Sequence, residues 1–334
     1  MPSGIYTLAN DVVYDQLVAL LNSIAENAGS EIPIRVIAYD NQLEKVRAEV
    51  ERRKNVELVE DQILFDPWEE FSRQVWKAHP TALQRWQEQG IKGVRRLACN
   101  RRYFAFDEKS PFDKFIYFDA DVIVLDSLDF IFDQLDSSDV VVYDFQYKDP
   151  THIFNVESPQ LYEVFDESRV QSEIFCSGCF AGKKGLFPQA KRDWLVDKLN
   201  SGEAEILYPS APNQSVLNYM IMRSQTPVYN FALNLPDDQK TGCSVTSPHF
   251  EQRDLSLYDK GTRLTYLHYI GLSAKLFTEV CEGKNIDFPY RDIFLDYRYL
   301  HEPEKRPQFQ GKPKPYNAPP NLTTQVLKKL GLTK

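Results

Sequence analysis

The chain has 334 residues, 43% of them hydrophobic and 26% charged, the balance of an ordinary globular protein with enough apolar material for a large core. A formal net charge of −9 excludes a general nucleic-acid binder, which would carry a basic face. No apolar run approaches the ~18–20 residues of a membrane-spanning helix. The opening MPSGIYTLANDVVYD lacks a secretory signal, and an odd count of five cysteines fits a reducing compartment, so a cytoplasmic location is the expectation.

The pattern opens as β-α-β-α-β. Residues 4–9 read as a buried strand, Gln16–Ala28 as a helix with Leu17, Leu20, Leu21 and Ile24 on one face, and Gly29 as its stop. Pro33–Tyr39 is a second strand, a charged helix follows to about Lys54, and Val56–Val59 is a third strand. This is the start of a doubly wound parallel sheet. Residues 66–90 read as helical or irregular, and Val94–Phe106 as an arginine-rich helix. Strands are predicted at Lys114–Phe118, Val122–Leu125, Asp139–Tyr143, Thr226–Phe231 and Arg263–Ile270, with a strand entering a helix at 174–187 and a helix over 211–224.

Residues 301–334 differ from the rest. They hold seven basic residues, two acidic ones and six prolines, which divides the chain into a single domain over 1–300 and a basic, proline-rich tail over 301–334. The 302–320 stretch is expected to be a linker too rich in proline to pack. Leu322, Val326, Leu327, Leu330 and Leu332, with Lys328 and Lys329 beside them, suggest a short terminal helix. Peripheral contact of that helix with an anionic membrane is one expectation. Docking on the domain or disorder are the alternatives.

The sharpest chemical feature is FIYFDADVIVL. Two carboxylates, Asp119 and Asp121, separated by Ala120, stand where a buried strand ends. Side chains at i and i+2 of an extended chain point the same way, and two hard oxygen ligands suit Mg2+ or Mn2+ carrying phosphate oxygens. A solvated strand end is the plain alternative, but charges between two buried runs need a counter-ion. Cys176-x-x-Cys179 has no second ligand pair nearby, so these read as ordinary buried cysteines rather than a zinc site.

The stretch FIYFDADVIVLDSLDFIF resembles the Asp-x-Asp strand of the GT-A nucleotide-sugar glycosyltransferases, most closely family 8, the glycogenin and lipopolysaccharide galactosyltransferase type. GIYTLANDVVYDQLVALLNSI resembles its uridine-binding first strand and helix. SGCFAGKKGLF and NQSVLNYM resemble its substrate-side segments, and TYLHYIG its metal-histidine strand. The resemblance spans residues 4–275. It implies an α/β fold of GT-A (Rossmann-like) type, with a mixed, mostly parallel sheet flanked by helices. It also implies a hexosyltransferase that uses a UDP-sugar donor and Mn2+ (or Mg2+), acting with retention on a carbohydrate, lipid-linked or protein acceptor.

Carried over by residue, the resemblance makes Asp119, Asp121 and His268 the cation ligands, with a core histidine as the alternative for His268. Arg102, 17 residues before Asp119, would contact the diphosphate. Leu8, Ala9, Asn10 and Asp11 would meet the base and ribose. Tyr14 stands one residue farther along than the family's tyrosine, so either Tyr14 stacks on the base or Val13 occupies that place. Ser177 and Gly178 belong to the sugar-binding turn, where Cys176 replaces the family's Asn. Gln214 would lie beside the anomeric carbon, next to Asn213 where the family has Asp. Gly271 and Lys275 belong to the late phosphate-binding segment, with Lys275 seven residues after His268 instead of six. Asp144 is a candidate sugar or acceptor contact, or a strand-capping aspartate.

Two other readings stand beside this one. A haloacid-dehalogenase-type phosphatase would use Asp119 as nucleophile, since Asp-x-Asp after a buried strand is also its signature. That motif normally opens its domain, whereas here several β-α elements precede it. An inactive sugar-nucleotide-binding protein would account for the departures at Cys176 and Asn213.

Overall fold

The computed structural model describes residues 2–318. A seven-stranded sheet is built from β1 (Ser3–Ala9), β2 (Ile34–Ala38), β3 (Val56–Val59), β4 (Lys114–Asp119), β6 (Val140–Val142), β7 (Cys179–Lys183) and β8 (Val228–Asn230). The remaining strand of this region, β5 (Val122–Val124), leaves the sheet. The order is β3-β2-β1-β4-β7-β6-β8. Every pairing is parallel except the two made by β7, which runs antiparallel to both β4 and β6. The mixed, mostly parallel α/β sheet expected from the sequence is present.

Helices cover both faces, which is why β1 and β4 are apolar along almost their whole length. The alternation still sorts their side chains. Ile116 and Phe118 face a core that includes Leu17, Leu20, Leu21 and Ile24 of the helix Tyr14–Asn27. Phe115 and Tyr117 face the opposite core, with Trp68, Phe104 and Phe180. Asp119 follows Tyr117 at the same two-residue spacing. The side of the sheet on which its carboxylate emerges is therefore set by the strand itself.

A third core holds the C-terminal part. Strands β9 (Glu251–Arg253), β10 (Ser256–Asp259) and β11 (Thr262–Arg263) form an antiparallel meander. The single strand expected over 263–270 is split in two. Thr262–Arg263 completes the meander, and β12 (Tyr266–His268) pairs antiparallel with β5, His268 opposite Val122. The helices Ala274–Cys281 and Arg291–Arg298, absent from the sequence reading, pack beside the ribbon around Tyr269, Phe277 and Phe294. Arg298 Nε reaches Asp15 Oδ1 at 2.7 Å and fastens this layer to the first helix.

Two other expectations change. The arginine-rich segment is a 3-10 helix over Leu97–Phe106, entered through Arg96 in the left-handed region (φ 55°). Residues 302–318 lie at the surface, exposed or half-buried, but they are tied to the domain where a free linker was expected. Arg306 pairs with Asp296, and Arg291 lies 4.8 Å from the Phe309 ring. Strand β13 (Ile286–Asp287) pairs in parallel with β14 (Lys314–Pro315). Lys314 and Tyr316 donate their N–H groups to Asn285 and Asp287 at 2.9 Å, and Pro315 falls between them, where the ladder asks for no donor. The terminal helix expected over 321–332 lies outside the described residues. No described helix is long and apolar enough to cross a membrane.

Phe118 is fully buried between β4 and its neighbours, with Tyr266 6.0 Å away across the core. Phe118→Ala is expected to cost about 3–5 kcal/mol of unfolding free energy, measured by urea denaturation. A cost below about 1 kcal/mol would mean that this core does not carry the sheet.

Candidate active site

The end of β4 is held from behind. Tyr117 donates its hydroxyl to Asp119 Oδ1 at 2.8 Å, and Arg102 Nη2 lies 3.1 Å from the same oxygen. Arg102 is itself only 3% exposed. Its Nη1 donates to the Ser177 carbonyl at 2.7 Å, its Nε to the Cys99 carbonyl at 2.9 Å, and its guanidinium lies 4.7 Å from the Tyr117 ring. Burial acts to lower its pKa, but Asp119, Tyr117, Cys99 and Tyr103 together outweigh this and hold it above its ordinary value. In this structure Arg102 serves as the counter-ion of Asp119, with Nε, Nη1 and Nη2 each directed to a protein oxygen. Its neighbour Arg101 is also structural, reaching Glu69 at 2.7 Å and the Ala38 carbonyl at 2.8 Å.

Asp121 and His268 meet across the β5–β12 ribbon. His268 Nε2 lies 3.4 Å from Asp121 Oδ1, and the Tyr269 N–H donates to the Asp121 carbonyl at 2.9 Å. Burial works against charge on both. Their mutual attraction prevails, lowering the Asp121 pKa and raising that of His268. Ligand atoms of Asp119, Asp121 and His268 all lie within 4.8 Å of one another. Cis ligands of an octahedral ion with ~2.1 Å bonds stand ~3 Å apart, so a small closure completes the set. Gly178 makes room for it. A Cβ there would sit 2.4 Å from His268 Cε1 and 3.1 Å from Asp119 Oδ2, so only glycine fits against the pair. Two carboxylates and an imidazole suit a divalent cation of the Mg2+ or Mn2+ kind.

The sugar-side residues converge on the same place. The Ser177 N–H donates to Gln214 Oε1 at 3.1 Å, and Asn213 Nδ2 donates to Ser177 Oγ at 3.1 Å. Asp144 is buried at the end of β6. Its Oδ2 accepts from the Cys176 N–H at 2.7 Å and its Oδ1 from the Gln146 N–H at 2.8 Å. Burial raises its pKa to about 6 against those two donors. Asp144, Cys176 and His268 line a cavity of about 790 Å3 together with Thr241, Ser244 and His249. Ala120 is buried between the two carboxylates.

Other expected residues stand apart. Leu8 is in register with Asp119 and Ala9 precedes the turn, so the end of β1 does adjoin the site. The side chains that follow are used locally. Asn10 donates to Asp40 Oδ2 at 2.8 Å and accepts from the Val12 N–H, while Asp11 Oδ1 accepts from the Lys45 and Val46 N–H groups at 3.0 and 3.1 Å. Tyr14 is drawn to Glu49 and Arg52 through its hydroxyl, both at 3.4 Å, with the Arg298 guanidinium 5.4 Å from its ring. Neither it nor Val13 joins the cation cluster. Gly271 (φ +82°) makes the turn after β12, and Lys275, with an 81% exposed side chain, lies 3.7 Å from Glu279 beside a separate cavity of about 400 Å3. The sequence reading missed Tyr117, although its two-residue spacing from Asp119 announces a shared face. It also missed Asp40, for which no motif gives a signal.

The family model described as "Mannosyltransferase putative" matches residues 2–239. The chain belongs to this family. It is a glycosyltransferase of hexosyltransferase type with a GT-A fold. Among solved structures, the apo structure of the bifunctional glycosyltransferase WbbM aligns with a TM-score of 0.53 at 15% identity, over 91% of this chain and 51% of that one. The chain thus spans about half the length of WbbM. The galactosyltransferase LgtC, in complex with donor and acceptor sugar analogs, aligns with a TM-score of 0.50 at 15% identity, over 83% of this chain and 94% of that one. No curated protein matches the chain. The phosphatase alternative falls with this membership.

The two carboxylates should respond differently to removal. Asp119→Ala strands a buried guanidinium and is expected to cost about 2–3 kcal/mol in urea denaturation. Asp121→Ala should stay within about 1 kcal/mol of wild type. Equal losses would mean that Arg102 does not depend on Asp119. Asp144 gives a pH signature. Its folded pKa lies above the ordinary 3.8, so the native state holds this proton more tightly than the unfolded chain. The stability it supplies is full below pH 3.8 and is lost as pH rises through about 6. The wild-type minus Asp144→Asn difference in urea stability should fall across that window. A flat difference would refute the raised pKa.

Proposed function

We propose that this glycosyltransferase moves a hexose from a nucleoside-diphosphate sugar to a hydroxyl acceptor, in a reaction that depends on a divalent cation and retains the anomeric configuration. The observation that carries the reading is the convergence of Asp119, Asp121 and His268 at the carboxyl end of β4, against the turn that holds Ser177, Gly178 and Gln214. In open α/β sheets this is where ligands bind. Asp119, Asp121 and His268 would hold Mn2+ or Mg2+, and such an ion offsets the charge that grows on a departing diphosphate, the kind of electrostatic help that dominates many enzymic rates.

The chain's own residues supply the rest. Gln214 is fixed by the Ser177 N–H on its Oε1 and by its own donation to the His152 carbonyl at 3.3 Å, so its amide is oriented before a sugar arrives. The route to retention on this reading is a front-face displacement beside Gln214. Asp144, with a pKa raised to about 6, presents its free lone pairs to the cavity and accepts a hydroxyl of the sugar or acceptor. The resemblance of the first strand and helix favours uridine as the base. The family description names mannose as the sugar.

The test is a thermal-shift comparison of UDP and GDP, each with Mn2+, with Mg2+ and with a chelator. The favoured diphosphate should stabilise the protein by ~2.7 kcal/mol at a hundredfold excess over its Kd, only when the metal is present and not in Asp121→Ala. Binding that ignores both the chelator and Asp121→Ala would sink the cation dependence. NMR of the first-formed glycoside, run with the matching sugar nucleotides, then reads the anomeric outcome and the sugar.

A further inference from the structure

A histidine that binds a metal through one ring nitrogen normally gives its other N–H to a carboxylate, a carbonyl or water, and that partner fixes the tautomer. His268 faces Asp121 with Nε2. On its other side, the group that meets Nδ1 is the sulfur of Cys176, 3.9 Å away. Cys176 is 9% exposed and is itself firmly placed. Its N–H donates to Asp144 Oδ2 at 2.7 Å, and the Gly178 N–H donates to its sulfur at 3.4 Å. The same turn presses on the ring from the side, since a Cβ on Gly178 would lie 2.4 Å from His268 Cε1.

We infer that Cys176 is a positioning residue for the cation site: its sulfur accepts the Nδ1–H of His268 and leaves Nε2 bare towards Asp119 and Asp121. The inference rests on the cation reading above. The cation reading gives the sulfur its accepting role, because a neutral imidazole that binds through Nε2 keeps its one proton on Nδ1, and the sulfur is the group that meets it. Had the thiol proton gone to Nδ1, the ring proton would stand on Nε2, facing the carboxylates and blocking the cation. Sulfur is a weak acceptor, so this contact aligns the imidazole while adding little to its basicity.

The test titrates the full chain with Mn2+ alone, followed by electron paramagnetic resonance, for wild type, His268→Ala, Asp121→Ala, Cys176→Ala and Cys176→Ser. Losses of metal affinity from such outer partners run ~10–100-fold, and a weak sulfur acceptor places Cys176→Ala at about tenfold, with Cys176→Ser between it and wild type. Metal-free melting should be unchanged in both cysteine variants. A second measurement needs no variant. In histidine-labelled wild type saturated with Mg2+, nitrogen-15 NMR should show His268 as the Nδ1–H tautomer, and Cys176→Ala should give a mixture. If His268→Ala and Asp121→Ala bind Mn2+ like wild type, the cation reading fails and takes this inference with it. If they lose the metal while Cys176→Ala keeps it, or if wild type with Mg2+ shows the Nε2–H tautomer, the positioning role alone is overturned.

Discussion

The pair formed by Asp119 and a buried Arg102 ties together three separate pieces of chain. A guanidinium that is 3% exposed has to fill its donors or forfeit several kcal/mol. Arg102 fills them with Asp119 at the end of β4, with the Ser177 carbonyl before β7, and with the Cys99 carbonyl one turn back in its own helix. The Tyr117 ring beneath it and the Tyr117 hydroxyl on Asp119 complete the arrangement. The first carboxylate of the Asp-x-Asp pair is thereby set at a fixed angle before any ligand arrives. That is what a site needs when its selectivity depends on tenths of an ångström.

The antiparallel insertion of β7 matters for the same reason. In a fully parallel sheet, the neighbour of β4 would begin at the far edge and arrive at this end only with its own last residue. Because β7 runs the other way, its first residues, and the turn Cys176–Gly178 before them, lie beside Asp119. The Asp119 N–H donates to the Gly178 carbonyl at 2.8 Å. The turn Cys176–Gly178 and the Asp-x-Asp pair are thus brought within one hydrogen bond of each other. The closeness then dictates glycine at 178, by lack of room for a Cβ and not by backbone angle.

Most of the fold was legible in the sequence because it rests on periods that sequence displays. The two-residue alternation in Lys114–Asp119 and the helical spacing of Leu17, Leu20, Leu21 and Ile24 need no tertiary information. The Asp-x-Asp pair was legible for the same reason. Arg102 was found by its distance from Asp119. The winding of its segment was not, since a 3-10 helix carries a side chain 120° per residue against 100° in an α-helix. Tyr14 and Lys275 each stand one residue away from the place a family pattern assigns. On a helix that offset swings a side chain by about 100°, enough to hand Tyr14 to Glu49, Arg52 and Arg298, and Lys275 to Glu279. The pairing of Lys314–Pro315 was missed because proline content was counted without asking which N–H groups the pairing uses.

His268 belongs to a different part of the molecule from the two aspartates it meets. The family match ends at residue 239, so it takes in Asp119 and Asp121 but stops short of the strand that carries the histidine. That strand is held by β5 on one edge and by the segment around Ser244 on the other, and it leads into the core of Tyr269, Phe277 and Phe294. This core is in turn fastened to the first helix by Arg298 on Asp15 and by Asn22 on the Tyr297 carbonyl at 2.8 Å. Asp119 is therefore fixed by the central sheet, while Asp121 and the imidazole are joined through the β5–β12 ribbon, which packs on the C-terminal layer. The candidate cation site is the seam between the two. Whatever loosens the docking of that layer would move His268, and with it the ribbon next to Asp121, relative to Asp119, so the geometry of the site is coupled to the contacts between the first helix and the helix Arg291–Arg298.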